Sequence, residues 1–157
     1  MSRGFFAIGV YHPKHEVNIG GLFRSADLYD AAFIFTVGRR YTSRQASDTP
    51  NARLHTPLFH FDSVDDLRAH LPYSAPLVGV ELDPRAQMLG EFAHPDRAVY
   101  LLGAEDHGLP LNVLDQCHAV VQIPTPKPQS MNVATAGALI LHDRYMQTTT
   151  THTTAAA

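Results

Sequence analysis

The sequence predicts an α/β fold, with a mainly parallel sheet and helices on both of its faces. Two observations lead to this class. Short apolar runs rich in β-forming residues recur along the chain, and continuous runs of this kind suit strands that are covered on both faces. Segments with the apolar spacing of helices lie between these runs, and such alternation is typical of parallel sheets.

The predicted strands are the apolar runs themselves. A short run at 58–61 (LFHF) adds a further candidate strand. The longer runs lie at 5–11 (FFAIGVY), 32–37 (AFIFTV), 76–82 (PLVGVEL), 98–103 (AVYLLG) and 119–123 (AVVQI).

The predicted helices follow these strands. The second opens with an S-x-x-D cap at Ser63, and the third has Pro110 in its first turn. For the last helix we expect Ser130 to be the cap, with Asn132 in the first turn. The helical segments are 18–30, 63–71, 110–117 and 130–147.

The first helix combines a good apolar face with a poor start. Gly20 and Gly21 are expected in its first turn, where each costs roughly 1 kcal/mol relative to alanine. Arg24 lies one turn after Gly20, away from the apolar side. The glycines therefore suggest that a ligand approaches this helix closely. The apolar side consists of Ile19, Leu22, Phe23, Ala26 and Tyr29.

The length of 157 residues predicts one domain, which we place at 1–147, before a low-complexity tail at 148–157 that is not expected to pack. The single cysteine, Cys117, excludes an internal disulfide and is expected to be a small buried apolar residue. We expect neither a signal peptide nor a membrane span, and a reducing, cytoplasmic location.

The charge distribution is uneven although the net charge is only -3. Seven of the 12 Lys and Arg residues lie in residues 1–60, together with only four of the 15 acids. Arg39, Arg40 and Arg44 lie in one polar segment, GRRYTSRQ. This segment is equally consistent with contact to phosphate groups and with a solvated loop.

Two loops that follow predicted strands carry unusual residues, and parallel sheets bind ligands at this edge. In LLGAEDHGLP, Gly103 and Gly108 permit close backbone approach, and Glu105 offers an acceptor for hydroxyl or amine groups. In IPTPKPQSMN, three prolines form a stiff segment whose carbonyls can accept hydrogen bonds from a flat polar group. Taken singly, each loop is better explained by structure alone.

Three motifs in order are more specific: N-x-G-x-x-x-R, G-x-E-x-x-G and I-P-x…S-x-N-V-A. Together they resemble the SpoU (TrmH) family of RNA ribose 2′-O-methyltransferases, within the SPOUT superfamily. The resemblance covers about residues 5–147. The matching residues are Asn18, Gly20 and Arg24, then Gly103, Glu105 and Gly108, then Ile123, Pro124, Ser130, Met131, Asn132 and Val133.

The resemblance implies a C-terminal trefoil knot, S-adenosylmethionine as methyl donor, tRNA or rRNA as substrate, and a homodimer whose active sites are completed by the partner chain. It assigns Arg24, Asn18, Glu105 and Asn132 to catalysis. It also implies that the last helix lines the two-fold interface with its small and apolar side: Val133, Ala136, Gly137, Ile140 and Leu141. The cofactor residues that it implies are Val80, Leu82, Gly103, Gly108, Ile123, Ser130 and Met131.

In this interpretation Gly20 and Gly21 clear space for a ribose and its phosphate at the helix N-terminus. Arg24 stabilises the developing alkoxide, because a guanidinium with a pKa above about 12 is a poor base, and substrate phosphate or water takes the proton. Two features depart from the family pattern. The segment TPKPQ lacks the usual glycine and carries Lys127, and no added RNA-binding domain is evident, so the RNA target is not specified.

Other function classes fit less well. The ten histidines do not form a usual metal-ligand pattern, and neither G-x-G-x-x-G nor a P-loop is present. The remaining alternative is an RNA-binding protein of the same fold without catalytic activity. Retention of Asn18, Arg24, Glu105, Ser130 and Asn132 argues against it.

Overall fold

The computed structural model describes residues 4–14, 16–40, 56–104, 106–127 and 129–154. The predicted site residues Arg44 and Glu105 lie outside these ranges. Within them, seven strands form one parallel sheet in the order β3-β2-β1-β6-β4-β7-β5. The strands are β1 Phe5–Tyr11, β2 Phe33–Val37, β3 Leu58–Phe61, β4 Leu77–Val80, β5 Gln87–Met88, β6 Arg97–Leu102 and β7 Ala119–Gln122.

Helices cover both faces of this sheet: α1 Glu16–Leu28, α2 Val64–Ala69, α3 Leu111–Leu114 and α4 Val133–Thr154. Side chains of α1 and α4 share one core with Ile8 and Val10, whereas those of α2 and α3 share the other core with Ala7. Successive residues of a strand face opposite sides, so β1 contributes to both. The predicted class is confirmed, and the trefoil knot stays a prediction. Short 3₁₀ turns lie at Pro72–Ser74 and Leu89–Glu91.

Gly21 of α1 serves helix packing. The helix begins at Glu16, so Gly20 and Gly21 lie in its second turn, and Gly20 is buried. A Cβ atom at Gly21 would lie 2.8 Å from the Cβ of Ala134 on α4. The expectation that Gly21 clears space for a ribose is therefore wrong, because α4 occupies the space next to it, whereas the expectation for Gly20 stays a prediction.

The small side of α4 meets the same helix. A Cβ at Gly137 would lie 2.2 Å from Leu22 Cδ1, so α1 and α4 approach each other closely at this point. The whole predicted stripe from Val133 to Leu141 is buried within this chain. The stripe is thus core within the chain, and the expectation that this helix also lines a two-fold interface stays a prediction.

The C-terminal half of α4 is attached to the sheet by a buried polar network. Arg144 is 2% exposed, and its guanidinium stacks 4.8 Å from the Phe6 ring centre and donates to the carbonyls of Pro95 and Asp96. It also donates to the Tyr100 hydroxyl at 3.3 Å. Burial raises the pKa of Tyr100 to about 12, so this hydroxyl keeps its proton.

His94 continues this network as a neutral ring. Its Nε2 lies 3.0 Å from a carboxylate oxygen of Asp143, which can only accept, so Nε2 carries the proton. Its Nδ1, 2.6 Å from the Tyr100 hydroxyl, then accepts a hydrogen bond. Burial lowers the pKa of His94, and the hydrogen bond and charge of Asp143 only partly offset this.

His94 should therefore make stability depend on pH. Below the unfolded-state pKa of about 6.5, the unfolded chain binds a proton at His94 that the folded chain excludes. The free energy of unfolding therefore decreases as the pH is lowered. We expect the free energy of unfolding to fall less between about pH 7 and pH 5 in His94→Gln than in the native protein. Urea unfolding at each pH measures this, and equal slopes in both proteins would contradict it.

Two predicted helix boundaries shift. The helix α4 begins at Val133 and continues to Thr154, so residues 148–154 of the predicted tail are helical. The hydroxyls of Thr148 and Thr149 donate to carbonyls one turn back, which satisfies them inside the helix. In the part of the chain that the structure describes, no helix is long and apolar enough to span a membrane.

Candidate active site

A cavity of about 270 Å³ lies at the carboxyl ends of β4, β6 and β7. In parallel sheets this edge is where ligands bind. The first turns of α4 close its inner side. Its apolar wall consists of Val80, Leu102, Ile123, Val133 and Ala136, and its polar rim of Asp106, His107, Thr125, Gln129 and Ser130.

The residues that the sequence assigned to the cofactor all line this cavity. They come from three separate segments of the chain, which the strand order brings together at one edge. The common location does not by itself identify a ligand. The seven residues are Val80, Leu82, Gly103, Gly108, Ile123, Ser130 and Met131.

The loop after β6 folds tightly back on itself. The Gly108 amide donates to the Ala104 carbonyl at 2.9 Å, and Gly108 has a φ of +61°, which favours glycine. A Cβ at Gly103 would lie 2.4 Å from the carbonyl carbon of Gly108. Gly103 is therefore required by the loop's own backbone, a more direct reason than the ligand space expected from sequence.

Glu81 holds this loop in place through hydrogen bonds, a role that the sequence analysis did not predict. Its carboxylate accepts hydrogen bonds from the amides of Leu82, at 2.9 Å, and Leu109, at 2.6 Å. A Cβ at Gly108 would lie 2.3 Å from the same carboxylate. The Glu81 carboxylate thus connects the end of β4 to the loop after β6. An acidic residue directly after a buried strand was the feature of the sequence that could have indicated this role.

Hydrogen bonds to one carbonyl group hold the turn in the proline-rich segment. The Lys127 carbonyl accepts hydrogen bonds from the Thr125 hydroxyl and from the Gln129 amide. This turn forms without the glycine that the family pattern contains. The Lys127 side chain is exposed, and nothing in the structure explains its charge.

Asn132 has two structural roles. Its side-chain oxygen accepts from the amides of Ala134, at 2.9 Å, and Thr135, at 3.2 Å, so Asn132 caps α4. The expected cap, Ser130, is wrong because the helix begins at Val133. The side-chain nitrogen of Asn132 donates to Asn18 Oδ1 at 2.7 Å.

The Asn18–Asn132 pair lies beside the cavity. Asn18 lines a shallow depression together with Ala104 and Val133, which also line the cavity. Near them, Lys14 forms an ion pair with Asp106 that connects the loop after β1 to the loop after β6. Two of the predicted catalytic residues are therefore brought together next to the predicted cofactor residues.

Of the predicted RNA-binding arginines, the three that the structure describes do not line the cavity. Arg24 is exposed on α1, six residues after Asn18, which corresponds to about 9 Å along the helix and about 120° around it. The structure thus does not bring Arg24 to the face that carries Asn18. Arg39 and Arg40 are exposed and follow β2 at the same sheet edge.

Cys117 has no features of a reactive thiol. Its thiol donates to the Val113 carbonyl at 3.4 Å, and burial raises its pKa to about 11. Within the described ranges, no cluster of three or more His, Cys, Asp or Glu side chains is arranged to hold a metal ion.

A family model and a curated relative match this chain, and both describe RNA methyltransferases. The model of the SpoU rRNA methylase family matches residues 6–142. The mouse (Mus musculus) tRNA (guanosine(18)-2′-O)-methyltransferase TARBP1 is 28% identical over 130 residues. This match covers 79% of the chain but only 8% of the length of the mouse protein.

Solved structures share the fold. One, solved to study the 2-OH methylation of C/U34 on tRNA, has a TM-score of 0.80 at 23% identity and covers 94% of this chain and 98% of that chain. Another is the SpoU methyltransferase AviRb from Streptomyces viridochromogenes in complex with the cofactor AdoMet, with a TM-score of 0.81 at 22% identity. It covers 92% of this chain and 58% of that one.

Proposed function

Because the chain belongs to the SpoU rRNA methylase family, we propose that it transfers a methyl group from S-adenosylmethionine to a ribose 2′-hydroxyl of tRNA or rRNA. The observation that carries the proposal is the convergence of all seven implied cofactor residues on one cavity beside the Asn18–Asn132 pair. The mouse tRNA methyltransferase and the AdoMet complex of AviRb support the same assignment.

The cavity suits this cofactor in size and chemistry. Small-molecule pockets usually measure about 300–1,000 Å³, so a cavity of about 270 Å³ is near the lower end of the range for such a ligand. Ile123 and Val80 would hold its flat apolar part, and the backbone around Gly103 and Ser130 its polar groups. When bound, a sulfonium supplies an already activated methyl group.

The protein's own contribution is then mainly alignment. The Asn18–Asn132 pair is fixed at the start of α4, so it can orient the attacking ribose at the cavity rim. Arg24 stabilises negative charge on the 2′-oxygen as the proton leaves. The proton passes to substrate phosphate or water, because a guanidinium is a poor base.

A direct test is methyl transfer from radiolabelled S-adenosylmethionine to total tRNA and to rRNA. A 2′-O-methyl group blocks alkaline cleavage, so label recovered in alkali-resistant dinucleotides identifies the product. Label transferred to bases, or none at all, would contradict the proposal. RNA binding without transfer would favour the alternative of an inactive RNA-binding protein.

We also propose a homodimer in the cytoplasm, where the partner's Arg24 completes each site. The direction of Arg24, away from the face with Asn18, supports the shared site. Exposed apolar side chains on α1 and α4 support the dimer, and the free thiol of Cys117 suits a reducing compartment. The exposed apolar residues are Leu28, Leu139, Tyr145 and Met146.

Co-expression of two inactive variants tests the shared site. In a mixed dimer of Arg24→Ala and Gly103→Val chains, one site combines an intact cavity with an intact Arg24. Random pairing should therefore restore about a quarter of native activity. As a control, the double variant co-expressed with Arg24→Ala should restore none, and no restoration in the first mixture would exclude sharing.

A further inference from the structure

His12 has a strained backbone at the edge of the sheet that carries the cavity. It follows β1 directly and has a φ of 46°, which is uncommon for a residue other than glycine. Its amide donates to the Val37 carbonyl at 2.8 Å, which continues the β1–β2 hydrogen-bond ladder and fixes the residue. Strain of this kind often occurs at functional sites.

The protein provides a seat for the His12 ring. A Cβ at Gly38 would lie 2.3 Å from Nε2 and 2.6 Å from Cε1 of His12, so the imidazole occupies the space of a side chain at position 38. The Tyr11 ring packs against it at 4.5 Å between ring centres, at 67°. The ring is thus supported from two directions, yet His12 remains exposed.

The strand order places this ring between two features of the proposed site. In the sheet, β1 lies between β2, which is followed by Arg39 and Arg40, and β6, which is followed by Gly103. Neighbouring strands are about 4.8 Å apart. A supported aromatic ring therefore lies between a pair of exposed cations and the cavity.

We propose that His12, supported by Tyr11 and Gly38, is a stacking platform for an unpaired RNA base next to the methylated nucleotide. Arg39 and Arg40 bind the phosphates on its far side. The inference rests on the proposed function, because it names where that RNA is held. Bases in single-stranded RNA stack on aromatic rings, and this contact tolerates any base because every base has a π-face.

Four variants separate stacking from other roles of the residue. His12→Ala removes the ring, and His12→Phe keeps a flat ring without nitrogen atoms. Gly38→Ala places a Cβ in the space of the ring and also strains the backbone, because Gly38 has a φ of +81°. Gly90→Ala is the control for an added methyl group, because a Cβ there meets nothing within 4 Å. The probe is a short single-stranded RNA in which 2-aminopurine replaces every adenine, since stacking quenches its fluorescence.

We expect the native protein, His12→Phe and Gly90→Ala to quench the probe. His12→Ala and Gly38→Ala should lose the quenching and bind the RNA about tenfold to a hundredfold more weakly. Affinity for S-adenosylmethionine should be unchanged in all of them. Arg39→Ala and Arg40→Ala should weaken binding and reduce its salt dependence while the quenching of bound RNA remains.

Three results would overturn the platform: no quenching by the native protein, native-like quenching by His12→Ala, or equal loss in His12→Phe and His12→Ala. The quenching needs no methyl donor, so it is independent of the methylation assay. A protein that quenches but does not methylate supports the platform and contradicts the proposed activity. Normal methylation with undiminished RNA affinity in His12→Ala contradicts the platform alone.

Discussion

Arg24→Ala is expected to lower methyl transfer to RNA by about a hundredfold or more, which corresponds to about 3–4 kcal/mol of transition-state stabilisation. Fold, dimer and affinity for S-adenosylmethionine should be unchanged, because Arg24 is exposed on α1 and does not line the cavity. The measurement is single-turnover transfer at saturating cofactor, with total RNA as substrate.

Two further variants control for loss of charge. Arg24→Lys should rescue little, because an ammonium lacks the planar fork of the guanidinium. Arg68→Ala removes an exposed arginine of α2, on the opposite face of the sheet, and should leave the rate unchanged. Near-normal turnover by Arg24→Ala would show that this arginine has no catalytic role.

Gly103→Val should abolish binding of S-adenosylmethionine while most of the sheet remains folded. Its Cβ would lie 2.4 Å from the Gly108 carbonyl carbon and 2.6 Å from the Leu109 nitrogen, so the loop must move. Movement of the loop also breaks the hydrogen bond from Leu109 to Glu81 and deforms the cavity. Calorimetric titration should show affinity reduced by about a hundredfold or more.

The matched control for Gly103→Val is Gly90→Ala, where an added Cβ meets nothing within 4 Å. It should bind the cofactor with native affinity. Far-ultraviolet circular dichroism establishes whether each variant is folded. A folded Gly103→Val protein with unchanged affinity would mean that the cavity is not the cofactor site.

Most strands and helices could be predicted because a parallel sheet buried on both faces gives continuous apolar runs. The strand Gln87–Met88 could not, since both residues are exposed and no apolar run marks them. The start of α4 was misassigned because Ser130 and Asn132 are both good caps. Only the three-dimensional path of the chain selects Asn132, which also meets Asn18.

The site residues that could be predicted from the sequence are those that belong to the three motifs. Gly103, Ile123 and Ser130 belong to them and line the cavity. Glu81 and the Lys14–Asp106 ion pair do not, because each depends on contacts between distant segments. The purpose of Gly21 was misread for the same reason, since the sequence does not indicate that Ala134 lies against it.

The strand order has a consequence for how the chain folds during synthesis. The strand β1 is central, but one of its two neighbours, β6, is made much later: Phe5 is opposite Arg97. An emerging N-terminal segment can pair β1 with β2 and β3, yet one edge of β1 stays without its partner until β6 leaves the ribosome. Because such long-range closure is slow, the nascent chain exposes an unpaired strand edge, which is open to pairing with other chains until residue 102 has emerged.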